Sequence, residues 1–87
     1  MYKILIEKSV YKDLDKISAQ DLNKIYQNII QLEREPRPFG AKKLKGYKNR
    51  YRIRQGDYRI VYIIDDAANI IRVMLVRHRK DVYQDLP

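Results

Sequence analysis

An α+β sandwich is the predicted fold: two helices cover one face of a small antiparallel sheet, in the order β-α-α-β-β-β, with a short C-terminal helix or tail. Three observations predict it. Apolar residues recur at helical spacing between Val10 and Leu32, the chain from Tyr51 to Val76 alternates in Tyr, Ile and Val between short turns, and 87 residues allow one modest core. Tyr2 to Glu7 is weakly alternating and forms the first strand. Ser9 is placed to cap a short helix through Ile17, which buries Val10, Leu14 and Ile17. Ser18 caps the second helix with Asp21 three residues on, and Leu22, Ile25, Tyr26, Ile29, Ile30 and Leu32 form its core stripe. Glu35-Pro36-Arg37-Pro38-Phe39-Gly40 ends that helix, because proline disfavours α conformation in the residue before it. A basic loop, Ala41 to Arg50, leads into a hairpin from Tyr51 to Tyr62. Asp65 to Asn69 makes a further turn, and Ile70 to Val76 is the last strand before the segment from Arg79 to Leu86.

The hairpin is the most informative stretch. With Gln55-Gly56 as its two-residue turn, Arg54 pairs with Asp57, Ile53 faces Tyr58 and Arg52 lies opposite Arg59. Alternation then puts Arg52, Arg54, Asp57 and Arg59 on one face and Tyr51, Ile53, Tyr58, Ile60 and Tyr62 on the core face. Directly opposed arginines repel by a few tenths to about 1 kcal/mol, so an anion between them explains the arrangement. The charge balance points the same way. Of 19 Lys and Arg, ten lie between Arg34 and Arg59 beside only two acids, so the net charge of +8 comes wholly from that segment. Such clustering marks a polyanion site, with nucleic acid the leading partner, and Arg77, His78 and Arg79 at the end of the last strand can join it.

Other classes are excluded. The chain has no cysteine and one histidine, His78, which leaves no disulfide framework and no Cys or His metal constellation; no metal or other cofactor is expected. The longest apolar run, Ile60 to Ile64, is too short to cross a bilayer, and the N-terminus lacks signal-peptide character, so a cytosolic protein without membrane contact is expected. The absence of repeats and linkers favours one domain over residues 1–87.

Lys43-Leu44-Lys45-Gly46, the Tyr51 to Tyr62 hairpin and the Arg77-His78-Arg79-Lys80-Asp81-Val82-Tyr83 ending resemble the RelE branch of the RelE/ParE toxin superfamily, over nearly the whole chain. The resemblance implies a ribosome-dependent mRNA endonuclease, working without metal in the A site and restrained by a cognate RelB-like antitoxin. The toxin itself is expected to be monomeric outside that complex. Carried over by position, Arg52, Arg54, Arg59, Arg79 and Tyr83 are the catalytic set. The first two are often lysine in relatives; arginine is a poor general base, which assigns Arg52 and Arg54 an electrostatic role. Lys42, Lys43, Lys45, Lys48, Arg50, Arg77 and His78 are the expected contacts to messenger or ribosomal RNA.

The chemistry suits this inventory. RNA supplies its own nucleophile, the 2′-hydroxyl, so the protein need only position the strand, stabilise charge and move protons. Arg59 and Arg79 neutralise the phosphate in the transition state, and Tyr83 protonates the leaving oxygen or stacks on a base. Two other readings remain: a ParE-like toxin that inhibits DNA gyrase, and a basic nucleic-acid-binding module without catalysis.

Overall fold

The computed structural model describes residues 1–82. Its elements are β1 (Lys3–Ile6), α1 (Lys8–Leu14), α2 (Ala19–Gln31), β2 (Lys42–Lys43), β3 (Arg50–Gln55), β4 (Tyr58–Asp65) and β5 (Ile70–His78). The sheet order is β1-β5-β4-β3-β2. The helical pair thus carries the chain from one edge of the sheet to the other, and an antiparallel meander walks back until β5 lies parallel to β1, with Lys3 beside Ile70 and Ile6 beside Val73. The α+β architecture is the expected one; the sheet is mixed, and part of the basic loop forms the edge strand β2.

Two helix starts illustrate local competition. Ser18 caps α2 as expected, its hydroxyl oxygen accepting from the Asp21 N–H at 3.3 Å. Ser9 does not cap α1. The Glu7 N–H still bonds to the Val73 carbonyl at 3.1 Å, so the strand ladder runs to Glu7 and the helix begins immediately after it, at Lys8. On α2 and its C-cap, Ile25, Ile29 and Leu32 are buried, whereas Tyr26 and Ile30, one position further round the helix, face outward, Ile30 at 60% exposure. The buried stripe packs with Val10, Leu14 and Ile17 against Ile53, Ile60, Tyr62, Ile64, Ile71, Val73 and Val76, which form the main core.

The hairpin register is corrected. Gln55 pairs with Tyr58, Arg54 with Arg59, and Arg52 with Val61, so the turn is Gly56-Asp57 and not Gln55-Gly56. Gly56 has φ +58°, and placing glycine first confines the positive φ to the one residue that tolerates it; the alternative turn would have forced it on Gln55. Partners shift by two residues, so every side chain keeps its expected face.

The face away from the helices is not uniformly open. A bulge between Val61 and Tyr62 shifts the β4–β5 register so that Leu75 pairs with Val61 and Val73 with Tyr62, leaving Met74 as the extra residue. Val61, Leu75 and Val82 form a second buried cluster with Leu44 and Met74 packed on it. The chain reaches this position because Arg79 to Val82 turns back, the Val82 N–H donating to the His78 carbonyl at 3.1 Å.

Opposite the hairpin tip, a polar network ties the α2–β2 loop to the sheet. Arg37 donates to Asp66 at 2.9 Å and to the Tyr51 hydroxyl at 3.1 Å, Tyr2 donates to Asp66, and the Tyr62 hydroxyl donates to the Pro36 carbonyl at 2.7 Å. The hydrogen bonds from Arg37 and Tyr2 hold the Asp66 carboxyl below the usual carboxylate range, while burial pushes the Tyr62 phenol up.

Candidate functional site

The hairpin and β5 assemble a cross-strand row of arginines. Arg54 pairs with Arg59, and Arg59 with Arg77, so three neighbouring strands contribute one arginine each at the same level. The Ile64 N–H donates to the Asn49 carbonyl at 3.0 Å, which by alternation makes Arg54/Arg59 and Arg52/Val61 non-hydrogen-bonded pairs. In such pairs the backbones approach to about 4.5 Å and side chains are closest. Like charges are therefore held together by the strongest constraint available, the sheet ladder.

Each arginine has a different environment. Arg54 is exposed and has no partner among the described residues. Arg59 is half-buried and donates to the carbonyls of Gly56 and Tyr58 at 3.0 and 2.9 Å, which folds it over the turn. Arg77 donates to Asp13 at 3.2 Å in a partly buried ion pair, and the other oxygen of Asp13 accepts the Val76 N–H at 3.3 Å. Asp13 thereby covers the part of the β5 edge that β1 is too short to reach. Arg79 is anchored by its own N–H to the Asp57 carbonyl at 2.7 Å, with its guanidinium 3.8 Å from the Asp57 carboxylate. Asp57 thus neutralises Arg79, not Arg54.

Arg52 is the exception. It lies on the same face as Arg54, opposite Val61, yet is only 7% exposed, and its Nε is buried without a hydrogen-bond partner. A buried unsatisfied donor costs about 1–3 kcal/mol, more when charged. An anion reaching it would recover that cost.

The remaining expected contacts divide by position. Lys42 and Lys43 are exposed on β2, and Lys45 and Lys48 on the following loop. Arg50 stacks over the Tyr47 ring at 4.7 Å. His78 faces the helix side, edge-on to Tyr58 at 5.8 Å, with its Nδ1 accepting from the Lys80 N–H at 3.2 Å, and so lies on the opposite face from Arg54 and Arg59, in a crevice it shares with Arg77. Tyr83 lies outside the described residues. Sequence reasoning missed Asp13 and the cover formed by Leu44, Met74 and Val82; the unbroken run Val73-Met74-Leu75-Val76 was the available sign that β5 is buried on both faces.

A basic arginine-bearing sheet backed by a helical pair defines a class, and the comparisons identify it. The family described as the ParE toxin of the type II toxin-antitoxin system parDE matches residues 4–83, and the chain belongs to that family. Among curated relatives, toxin RelE3 of Methanocaldococcus jannaschii is 34% identical over 98% of this chain and 99% of its own length. Toxin RelG of Mycobacterium tuberculosis is 27% identical over 95% and 97%. The fold matches the RelE chain of the RelE-RelB complex from Pyrococcus horikoshii with a TM-score of 0.80 at 30% identity, covering 90% of this chain and 94% of that one. The RelB-RelE complex of Methanococcus jannaschii gives 0.78 at 31% identity, covering 95% and 99%. The protein is a RelE-type toxin of a toxin-antitoxin system.

Proposed function

We propose that this toxin is a ribosome-dependent mRNA endonuclease. One observation carries the reading: Arg54, Arg59 and Arg77 share a row, with the buried and unsatisfied Arg52 two residues from Arg54 on the same face. The 2′-oxygen attacks the adjacent phosphorus, the bond from phosphorus to the 5′-oxygen breaks, and the products are a 2′,3′-cyclic phosphate and a 5′-hydroxyl. The 2′-proton passes to water or an RNA group, and Tyr83 supplies the proton to the leaving 5′-oxygen. Arg52 and Arg54 hold the phosphate and favour ionisation of the 2′-hydroxyl, and Arg59 and Arg79 neutralise the extra charge of the transition state. Lys42, Lys43, Lys45, Lys48 and Arg50 supply salt-dependent contacts to ribosomal RNA. A RelB-like antitoxin is the restraining partner, as the RelE-RelB complexes of the similar archaeal proteins support.

The family match to ParE favours one other reading, inhibition of DNA gyrase. One experiment separates them. The chain is added to a translating extract and the 5′ ends of mRNA fragments are mapped against the reading frame, with a gyrase supercoiling assay in parallel. Codon-positioned cuts with unaltered supercoiling are expected; supercoiling inhibition without cuts would replace the nuclease with the gyrase poison.

A further inference from the structure

A crevice of about 510 Å³ lies on the helix side of the sheet end, between the last turn of α1 and the C-terminal turn. Ile17, Val76 and Tyr58 line it, Tyr58 also packing on the main core, with His78 standing edge-on to the Tyr58 ring. Four charged side chains line it: Asp13 and Arg77 are paired with each other, whereas Lys16 and Asp81 have no side-chain partner among the described residues. Asp13, also on its wall, has both oxygens committed to Arg77 and Val76. The crevice therefore offers an aromatic wall, one free carboxylate that only accepts, one free ammonium that only donates, and a histidine whose Nδ1 already accepts from Lys80.

Its place in the fold is as informative as its lining. Tyr58 pairs with His78 and Arg59 with Arg77, so the aromatic wall is one residue along the strands from the arginine row and on the opposite face. Arg77 of that row also lines the crevice, so the two adjoin at the strand end. Single-stranded RNA is read by splaying bases out, stacking them on aromatic side chains and hydrogen-bonding their edges. A strand whose phosphate rests on the arginine row can pass a neighbouring base over the end of the sheet and into the crevice.

We propose that this crevice is a base-selecting subsite, taking the base of a nucleotide next to the scissile phosphate; the proposal rests on the nuclease reading. Tyr58 supplies the stacking surface, Asp81 accepts from an exocyclic amino group, and Lys16 donates to a ring nitrogen or carbonyl. Adenine, cytosine and guanine carry such an amino group; uracil presents a carbonyl oxygen where cytosine has its amino group, and Asp81 repels it. Discrimination of roughly tenfold against uracil follows, the scale of one well-made edge contact.

The test is the flanking-base profile of cuts made by the full chain in a translating extract, compared among wild type, Asp81→Asn and Lys16→Gln. Both side chains are exposed and without partners, so the substitutions leave the packing intact. Asparagine donates as well as accepts, so Asp81→Asn is expected to raise the share of cuts beside uracil several-fold, and Lys16→Gln to flatten the profile. Unchanged profiles overturn the proposal, even if free nucleotides bind the crevice. Should the wild type make no cuts, the nuclease reading fails by itself, and titration with 5′-AMP and 5′-UMP judges the crevice. Shifts of the Tyr58 and His78 ring signals with AMP and not UMP sustain base selection; equal or absent shifts end it.

Discussion

Arg54 and Arg52 are two residues apart on one strand and face, yet they inhabit opposite electrostatic worlds. Arg54 stands in water at the hairpin tip beside Arg59, where solvent screens the repulsion and the cost is a few tenths to about 1 kcal/mol. Arg52 lies beside the second apolar cluster with a buried donor unsatisfied. Burial removes the screening, so the same side chain becomes costly in the free protein and strong toward an anion. On the nuclease reading proposed above, the tip arginine would meet a phosphate from water and the buried one would offer it an unsatisfied donor.

The largest expected effect tests the tip. Arg54→Ala should lower the rate of mRNA cutting by about 10²- to 10³-fold, the usual loss on removing a preorganised donor, with unfolding free energy held or raised by up to about 1 kcal/mol as the repulsion from Arg59 is relieved. Cutting at the wild-type rate in a translation extract would remove the tip from the site. Next comes the contrast between the two apolar clusters. Ile29→Ala in the main core should cost about 2–5 kcal/mol in urea unfolding, whereas Val82→Ala in the smaller cluster should cost about 1–2. An equal loss at both would mean that the C-terminal turn is as integral to the fold as the helices.

Arg52→Met sharpens the contrast within one residue. An apolar side chain of similar length removes the orphaned donor, so stability should hold or rise by about 1 kcal/mol while cutting falls at least about tenfold. A destabilised variant would show that Arg52 serves the fold first. The smallest effect lies at the far end of the sheet. The folded pKa of Asp66 is lowered, so its contribution is present above the unfolded value near 4 and is lost as pH falls through the folded one. Asp66→Asn should therefore flatten the fall of Tm below about pH 4 without altering activity, and an unchanged acid limb would refute the assignment.

Much of this was legible in the sequence because it depends on local rules. Period-two alternation placed Arg52, Arg54 and Arg59 on one face, and the two-residue register shift left that intact. Helical spacing located Ile25, Ile29 and Leu32, and Ser18 capped its helix as its position implied. The misreadings arose where two local solutions competed: Gln55-Gly56 against Gly56-Asp57 at the turn, and Ser9 against the continuing strand at Glu7.

By itself, the order of residues determined the elements, the sidedness of the hairpin and the concentration of positive charge between Arg34 and Arg59. Tertiary structure alone decided that β5 would join β1 to the meander, that a bulge would turn both Met74 and Leu75 toward a second cluster, that Val82 would fold back onto that cluster, and that Arg52 would be buried. Alternation and capping are set by neighbours along the chain. The desolvation of a single guanidinium is set by what distant segments bring to cover it, and no local pattern encodes that.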